Sequence, residues 1–322
     1  MRLIFMGTPD FAVPSLKRLL ADGHEVAAVF TQPDKPAGRG HHLHVPPVKQ
    51  LALEHDIAVH QPARIKTNEA VRAVFESIQP GACIVAAYGK ILPEWLLRIP
   101  RLGCINVHAS LLPRYRGAAP INWAIANGDR ETGVTIMQMD VGMDTGAMLA
   151  KRATTIGDTE TAPELAVRLA ELGAALLSDT LPKLERGEIT AEAQNNDEAT
   201  YAPLLKREDG LLDWRWRAEE ISNRVRGFQP WPGVYTTLNG ARLHIWRARP
   251  DETADEAQAA SAPGTILRID RAGIVISCAG GTALRIEECQ LEGKRRVAAR
   301  EFANGLRLKM GDRISDPLNS SS

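Results

Sequence analysis

The chain of 322 residues is 44% hydrophobic and 24% charged, and its 39 Lys+Arg balance its 39 Asp+Glu. That length is too great for one average domain and comfortable for two, and the composition is ordinary for a globular protein that buries its core without staples. None of the four cysteines forms a CxxC pair, which argues against a zinc site or a disulfide framework, and no stretch reaches the roughly 20 apolar residues of a membrane span.

The run Met1–Gly7 is too short for a signal peptide, so a cytoplasmic protein is expected. Cys83 and Cys104 lie in apolar runs and are expected as buried small hydrophobes. Residues 1–205 carry 20 Lys+Arg against 23 Asp+Glu, and residues 206–322 carry 19 against 16. An asymmetry this small does not by itself announce a nucleic-acid partner.

In chain order, Arg2–Met6 reads as a buried strand, and Gly7-Thr8-Pro9-Asp10 as a turn. Phe11–Ala21 follows at helical spacing through Val13, Leu16, Leu19 and Leu20, with Asp10 expected as its N-cap. His24–Thr31, Ala82–Ala87 and Gly103–Val107 read as further buried strands, with helices near Val48–His55 and Asn68–Ile78. This alternation predicts a doubly wound, Rossmann-like α/β domain with a mainly parallel sheet, whose ligands sit at the carboxyl ends of the strands. Gly133–Asp140 and Ala147–Thr154 predict two more strands, and Thr161–Glu185 a long helix rich in Ala and Leu.

The polar stretch that follows, including Gln194-Asn195-Asn196-Asp197-Glu198, reads as a linker. Beyond it, one helix (Ala218–Gly227) precedes short strands at Gly233–Leu238, Arg242–Arg247, Gly264–Ile269, Ile274–Cys278 and Thr282–Cys289. Strands of this spacing predict a small β-barrel or sandwich, with the acidic stretch Pro250–Pro263 as a mobile loop. The expected organisation is an α/β domain over 1–186, which the motifs within it make the catalytic one, a linker over 187–205, a C-terminal β domain over 206–318 and a disordered tail over 319–322.

The glycine turn after the first strand is not a dinucleotide fingerprint. That motif needs three glycines, whereas Gly7 stands alone, and Asp10 would set negative charge where a phosphate should bind. The informative segment lies later. Asn106 and His108 are two residues apart at the end of a buried strand, so alternation aims both to one side. An amide and an imidazole converging there are what an oxyanion-stabilising site requires, although a lone histidine at a strand end is more often structural. Taken alone, Asp144 in Gly142-Met143-Asp144-Thr145-Gly146 is equally a turn residue.

Together these residues are recognisable. Asn106-x-His108-x-Ser110-Leu111-Leu112-Pro113, followed 31 residues after Pro113 by Asp144, resembles the formyltransferases that use 10-formyltetrahydrofolate. The resemblance implies that Asn106, His108 and Asp144 are catalytic, that folate is a co-substrate rather than a bound cofactor, and that no metal takes part. It further implies that Ser110, Leu111, Leu112 and Pro113 form the folate-binding loop, and that Tyr88, Ile91 and Leu92 belong to the wall receiving the pterin. In that chemistry Asn106 and a protonated His108 would stabilise the tetrahedral oxygen, with Asp144 orienting the ring.

The Gly/Pro-rich loop over residues 31–48 is too long for an ordinary βα connection. It resembles the loop that family members acting on methionyl initiator tRNA insert into the acceptor end of that tRNA. Arg39, between two glycines, matches their tRNA-contacting arginine, while His41, His42 and His44 stand where lysines are frequent. Residues 206–322 resemble the family's OB-like C-terminal domain, with Phe228-Gln229-Pro230-Trp231-Pro232-Gly233 as the shared landmark.

OB folds often present aromatic and basic surfaces to nucleic acid. For Trp214, Trp216, Trp231 and Trp246 core packing is the simpler expectation. Lys294-Arg295-Arg296 is equally a solvated turn or a phosphate contact. The resemblance implies an enzyme that formylates methionyl initiator tRNA, the alternative acceptor being a sugar-nucleotide amine; with no apolar association helix visible, a monomer is expected.

Overall fold

A computed structural model describes residues 1–37, 42–253 and 261–314. Leu3–Met6, each fully buried, form the heart of strand β1 (Arg2–Gly7). The helix that follows, α1 (Val13–Ala21), is capped differently from expectation. Asp10 opens a 3-10 turn, and Ala12 precedes α1 with no side-chain cap. The 3-10 turn moves the start of α1 to Val13, so Ala12 rather than Asp10 stands at the cap position, and Pro14 fits the first turn, where its missing N–H costs nothing.

Strand β2 (Glu25–Phe30) is followed by the short arms β3 (Lys35–Ala37) and β4 (His42–His44), which pair antiparallel within the long loop. Arg39, expected to meet tRNA, and the neighbouring His41 lie outside the described residues. Next come α2 (Pro47–Glu54), β5 (Val59–His60) and α3 (Glu69–Ile78), the last capped by Asn68 accepting from the Val71 N–H at 3.2 Å. Strand β6 (Ala82–Ala86), helix α4 (Glu94–Arg98) and strand β7 (Cys104–His108) follow, every residue of both strands being buried.

The chain continues through β8 (Arg116–Gly117), α5 (Pro120–Ala126), β9 (Glu131–Gln138), β10 (Met148–Thr155), the long helix α6 (Ala162–Glu185) and β11 (Tyr201–Ala202). The seven-stranded sheet has the order β10-β9-β7-β6-β1-β2-β5. Pairings from β5 to β7 are parallel, and β9 and β10 are antiparallel additions. The winding reverses at β1, so the carboxyl ends of β1, β6 and β7 open on the crevice where such sheets bind ligands.

The chain divides into two units. The first comprises Met1–Pro120, Glu131–Thr155 and Leu165–Pro203; the second comprises Ile121–Arg130, Ile156–Glu164 and the chain from Leu204 onward. Two segments of the expected catalytic domain thus join the second unit. They are held there by Asn122, which donates to the Gly227 carbonyl at 2.7 Å, and by Arg226, which donates to the carbonyls of Gly157 and Glu160 at 3.2 and 2.8 Å.

In the second unit, α7 (Ala218–Gly227) buries Ala218, Ile221, Ser222 and Val225, the one-face stripe of an amphipathic helix. Strands β12 (Val234–Leu238) and β13 (Ala241–Pro250) meet at Asn239-Gly240, both at positive φ, as a tight hairpin turn demands. The rest are β14 (Ile266–Asp270), β15 (Gly273–Ser277), β16 (Ala283–Leu291), β17 (Val297–Ala298) and α8 (Ala299–Leu306).

This antiparallel sheet runs β12-β13-β16-β15-β14, with β17 on β16. Among the described residues the path stays open, where a barrel was expected. Each outer edge takes a bridge from a non-strand segment instead, Leu211 to Tyr235 and Thr265 to Arg313.

The expected mobile acidic loop also begins differently. Asp251 is buried, and its carboxylate meets Arg285 at 2.5 Å, Arg268 at 3.3 Å, and the Thr253 hydroxyl and N–H at 2.6 and 3.0 Å. Arg285 reaches Asp270 at 2.6 Å. Residues 254–260 of that loop and the tail over 319–322 lie outside the described residues.

Candidate active site

Strand β7 carries the first two site residues. Asn106 is 9% exposed and His108 6% exposed, two apart on one side of the strand, in register with Met137 and Thr135 of β9. Among the described residues the Asn106 side-chain amide makes no hydrogen bond, which leaves a donor at the strand end. His108 Nε2–H donates to the Tyr115 carbonyl at 3.0 Å and so fixes the ring. His108 Nδ1 faces Asp144 Oδ1 at 3.8 Å, longer than a hydrogen bond.

Asp144 sits at a corner the sequence builds in detail. Asp140 accepts from the Gly142 N–H at 3.0 Å and the Thr145 hydroxyl at 2.7 Å, an Asx turn that bends the chain. Gly146 must be glycine, because a Cβ there would lie 1.9 Å from the Gln138 carbonyl oxygen. Asp144 itself adopts φ +54, and its Oδ2 accepts from the Gly117 N–H at 2.8 Å. Gln194 donates to the carbonyls of Asp144 and Gly146 at 2.8 and 2.7 Å.

The loop after β7 is fixed from inside. Leu112 N–H donates to the Thr135 hydroxyl at 3.0 Å, which donates onward to the Ser110 carbonyl at 2.7 Å, and the Ser110 hydroxyl donates to the Arg114 carbonyl at 2.6 Å. Leu112 packs against Met137 and Met148, while Leu111 and Pro113 are half-buried. Ser110 and Leu112 therefore face inward and shape the loop.

The second wall divides similarly. Ile91 is 92% exposed at the surface, whereas Tyr88 and Leu92 are buried with Phe75 and Leu96. Burial raises the Tyr88 phenol well above its usual pKa, and among the described residues its hydroxyl has no hydrogen-bond partner. What Tyr88 offers the strand ends is its carbonyl, which accepts from Thr8 at 3.3 Å and Gln32 at 3.0 Å. The root of the long loop is fixed by Asp34, which accepts from Lys49 at 2.6 Å and Gln61 at 2.7 Å; the Lys49 bond holds its carboxyl below the ordinary range.

Sequence reasoning missed Thr135, Arg116 and Gln194, and also Thr200, whose hydroxyl accepts from the Tyr115 N–H at 2.9 Å. The polar cluster around Gln194 was visible, but its partner Arg116 lies 78 residues away. Among the described residues, no group of three or more His, Cys, Asp or Glu is arranged to hold a metal ion. No described helix is long and apolar enough to cross a membrane.

The second unit carries an aromatic and basic face. The Tyr235, His244 and Trp246 rings follow one another at 5.7 and 5.8 Å, with Arg242 4.7 Å over Tyr235 and Arg296 5.5 Å over Trp246. Trp214 is core, Trp216 lies half-buried 4.2 Å beneath Arg224, and Trp231 is 54% exposed.

Known proteins share both halves of this arrangement. Residues 1–181 match the formyl transferase family, and residues 204–307 match the formyl transferase C-terminal domain. The chain is 51% identical over 312 residues to a methionyl-tRNA formyltransferase of Geobacter metallireducens, covering 97% of this chain and 98% of that one. It is 50% identical over 317 residues to a methionyl-tRNA formyltransferase of Geobacter sulfurreducens, covering 98% and 97%. Among solved structures, the sugar 3N-formyl transferase WlaRD, crystallised in the presence of dTDP and 5-N-formyl-THF, shares the fold. Its TM-score is 0.65 at 17% identity, over 92% of this chain and 99% of that one. The chain belongs to the formyl transferase family, in its N-terminal and C-terminal parts alike.

Proposed function

We propose that this enzyme transfers the formyl group of 10-formyltetrahydrofolate to the amino group of methionyl initiator tRNA. The observation that carries this reading is identity near 50% along almost the full chain, loop and C-terminal part included, with methionyl-tRNA formyltransferases. The sugar-nucleotide alternative rests on a likeness of fold alone.

In this reading the free amine attacks the formyl carbon, forming a C–N bond and moving the carbonyl electron pair onto oxygen. The Asn106 amide and His108 Nδ1–H donate to that oxygen from one side of β7. Nε2–H is committed to the Tyr115 carbonyl and Asp144 lies beyond Nδ1, so the ring is oriented from both sides. Collapse restores the carbonyl and breaks the bond to folate N10. The proton lost by the amine passes to N10, carried by Asp144 directly or through water.

Ser110, Leu111, Leu112 and Pro113 would hold folate mainly through the fixed backbone of their loop, and Ile91 would supply exposed apolar surface. Tyr88 and Leu92 would act from behind that wall. Arg39 would contact the acceptor end of the tRNA. An OB-like reading of the second unit is supported by its antiparallel strands, and its stacked face by the affinity of ring-and-arginine surfaces for nucleic acid. These substrates assign the reaction to the cytoplasm.

The test is to incubate the protein with 10-formyltetrahydrofolate and methionyl initiator tRNA, with a sugar-nucleotide amine in parallel. Formyl-methionyl-tRNA is the expected product; formylation of the sugar nucleotide alone would sink the reading.

A further inference from the structure

The polar stretch between α6 and β11 has the composition of a spacer, and the proposed reaction gives it no role. Its side chains nevertheless reach the Asp144 corner. We infer that Gln194 is a positioning residue for Asp144, held in a single orientation by the buried Arg116. This inference rests on the catalytic role proposed for Asp144.

Gln194 uses both ends of its amide. Its Nε2 donates to the carbonyls of Asp144 and Gly146 at 2.8 and 2.7 Å, and its Oε1 accepts from Arg116 Nε at 2.9 Å. Turned over, the same amide would set its oxygen against two carbonyl oxygens and its NH₂ against a guanidinium, so only one orientation is satisfied. Arg116 is itself fixed. It is 2% exposed, its Nη2 donates to Asn196 Oδ1 at 2.9 Å, and its N–H donates to the Thr200 carbonyl at 2.8 Å. A buried guanidinium without such bonds is costly, so the cation cannot drift.

The next residue, Gly117, holds the other end of Asp144 by donating to its carboxylate at 2.8 Å. Asp144 is thus gripped at its carbonyl through Gln194 and at its carboxylate through Gly117, both tied to the β8–β11 strand pair. The grip matters because Asp144 adopts φ +54, a left-handed conformation unfavourable for an L side chain. Freed at its carbonyl, the peptide relaxes and the carboxylate moves away from His108 Nδ1.

Gln194→Ala is expected to lower kcat between about tenfold and a hundredfold, the cost of a catalytic group displaced by about an ångström. KM for methionyl initiator tRNA and for 10-formyltetrahydrofolate should change by less than about twofold, because ground-state binding is untouched. The deciding measurement is a double-mutant cycle with Asp144→Asn. If Gln194 acts through Asp144, Gln194→Ala costs little further in that background.

A full cost in both backgrounds would overturn the positioning role and leave the catalytic reading intact, as would a wild-type kcat for Gln194→Ala. A wild-type kcat for Asp144→Asn would overturn the catalytic reading and this inference with it. If Gln194→Ala does not fold, Gln194→Met, which keeps the length and removes the hydrogen bonds, carries the same cycle.

Discussion

Two arrangements built around carboxylates in this chain differ in how completely they are made. In the second unit Asp251, Asp270, Arg268 and Arg285 form a closed set. The Asp251 side chain is 2% exposed, and both its oxygens accept from hydroxyl, N–H or guanidinium donors. At the strand ends of the first unit, His108 and Asp144 stop 3.8 Å apart, and the Asn106 amide donates to nothing among the described residues. A finished network serves stability, because every buried polar group has spent its hydrogen bonds. An unfinished one, held in place by surrounding bonds, keeps its donors for a substrate.

The largest effect should come from breaking the finished set. Arg285→Met leaves the buried Asp251 carboxylate without its nearest partner and should lower unfolding free energy by about 3–5 kcal/mol, read by urea denaturation. The kcat of the protein that remains folded should stay at the wild-type value; a fall would blur the distinction between the two sets. His108→Ala should do the reverse. We expect kcat to drop between about 10² and 10³-fold with thermal stability and tRNA affinity little changed, and equal losses of turnover and affinity would count against an oxyanion role.

A smaller effect concerns acid. Hydrogen bonding from Arg285, opposed by burial, holds the Asp270 carboxyl down to about 2 from its ordinary 3.8. The depressed group contributes stability that is fully present above the unfolded value and is lost as pH falls through the folded one. Wild-type protein should therefore lose stability between about pH 4 and pH 2 more steeply than Asp270→Asn, by urea midpoints at each pH. Parallel acid limbs would remove Asp270 from the set. The smallest effect should be that of Arg39→Ala, which should raise KM for tRNA severalfold and leave formylation of a minimal amine acceptor unchanged. An equal loss on both acceptors would make Arg39 structural.

Much of the first unit was legible because its strands are continuous apolar runs, as central parallel strands buried on both faces must be. Asn106 and His108 were legible as a pair because strand alternation sets them on one side. The features that sequence missed depend on partners far along the chain. Gln194 shows no periodicity, and only folding brings it to Arg116. Asp10 looked like a cap, but a 3-10 turn over Asp10–Ala12 moves the start of α1 to Val13 and leaves Ala12 at the cap position. Helix α8 went unread because its eight residues bury only Ala299, Phe302 and Ala303, too short a stripe to register. Strand spacing left a barrel and a sandwich open, because spacing does not say what covers the edges of β12 and β14.

The contrast between the two sets is tested most directly by single-turnover formylation of methionyl initiator tRNA by Asp144→Asn at saturating 10-formyltetrahydrofolate, with thermal unfolding measured on the same sample. We expect the rate to fall by at least about a hundredfold with the unfolding midpoint unchanged. A near-wild-type rate, or a rate loss matched by a loss of folded protein, would contradict the account.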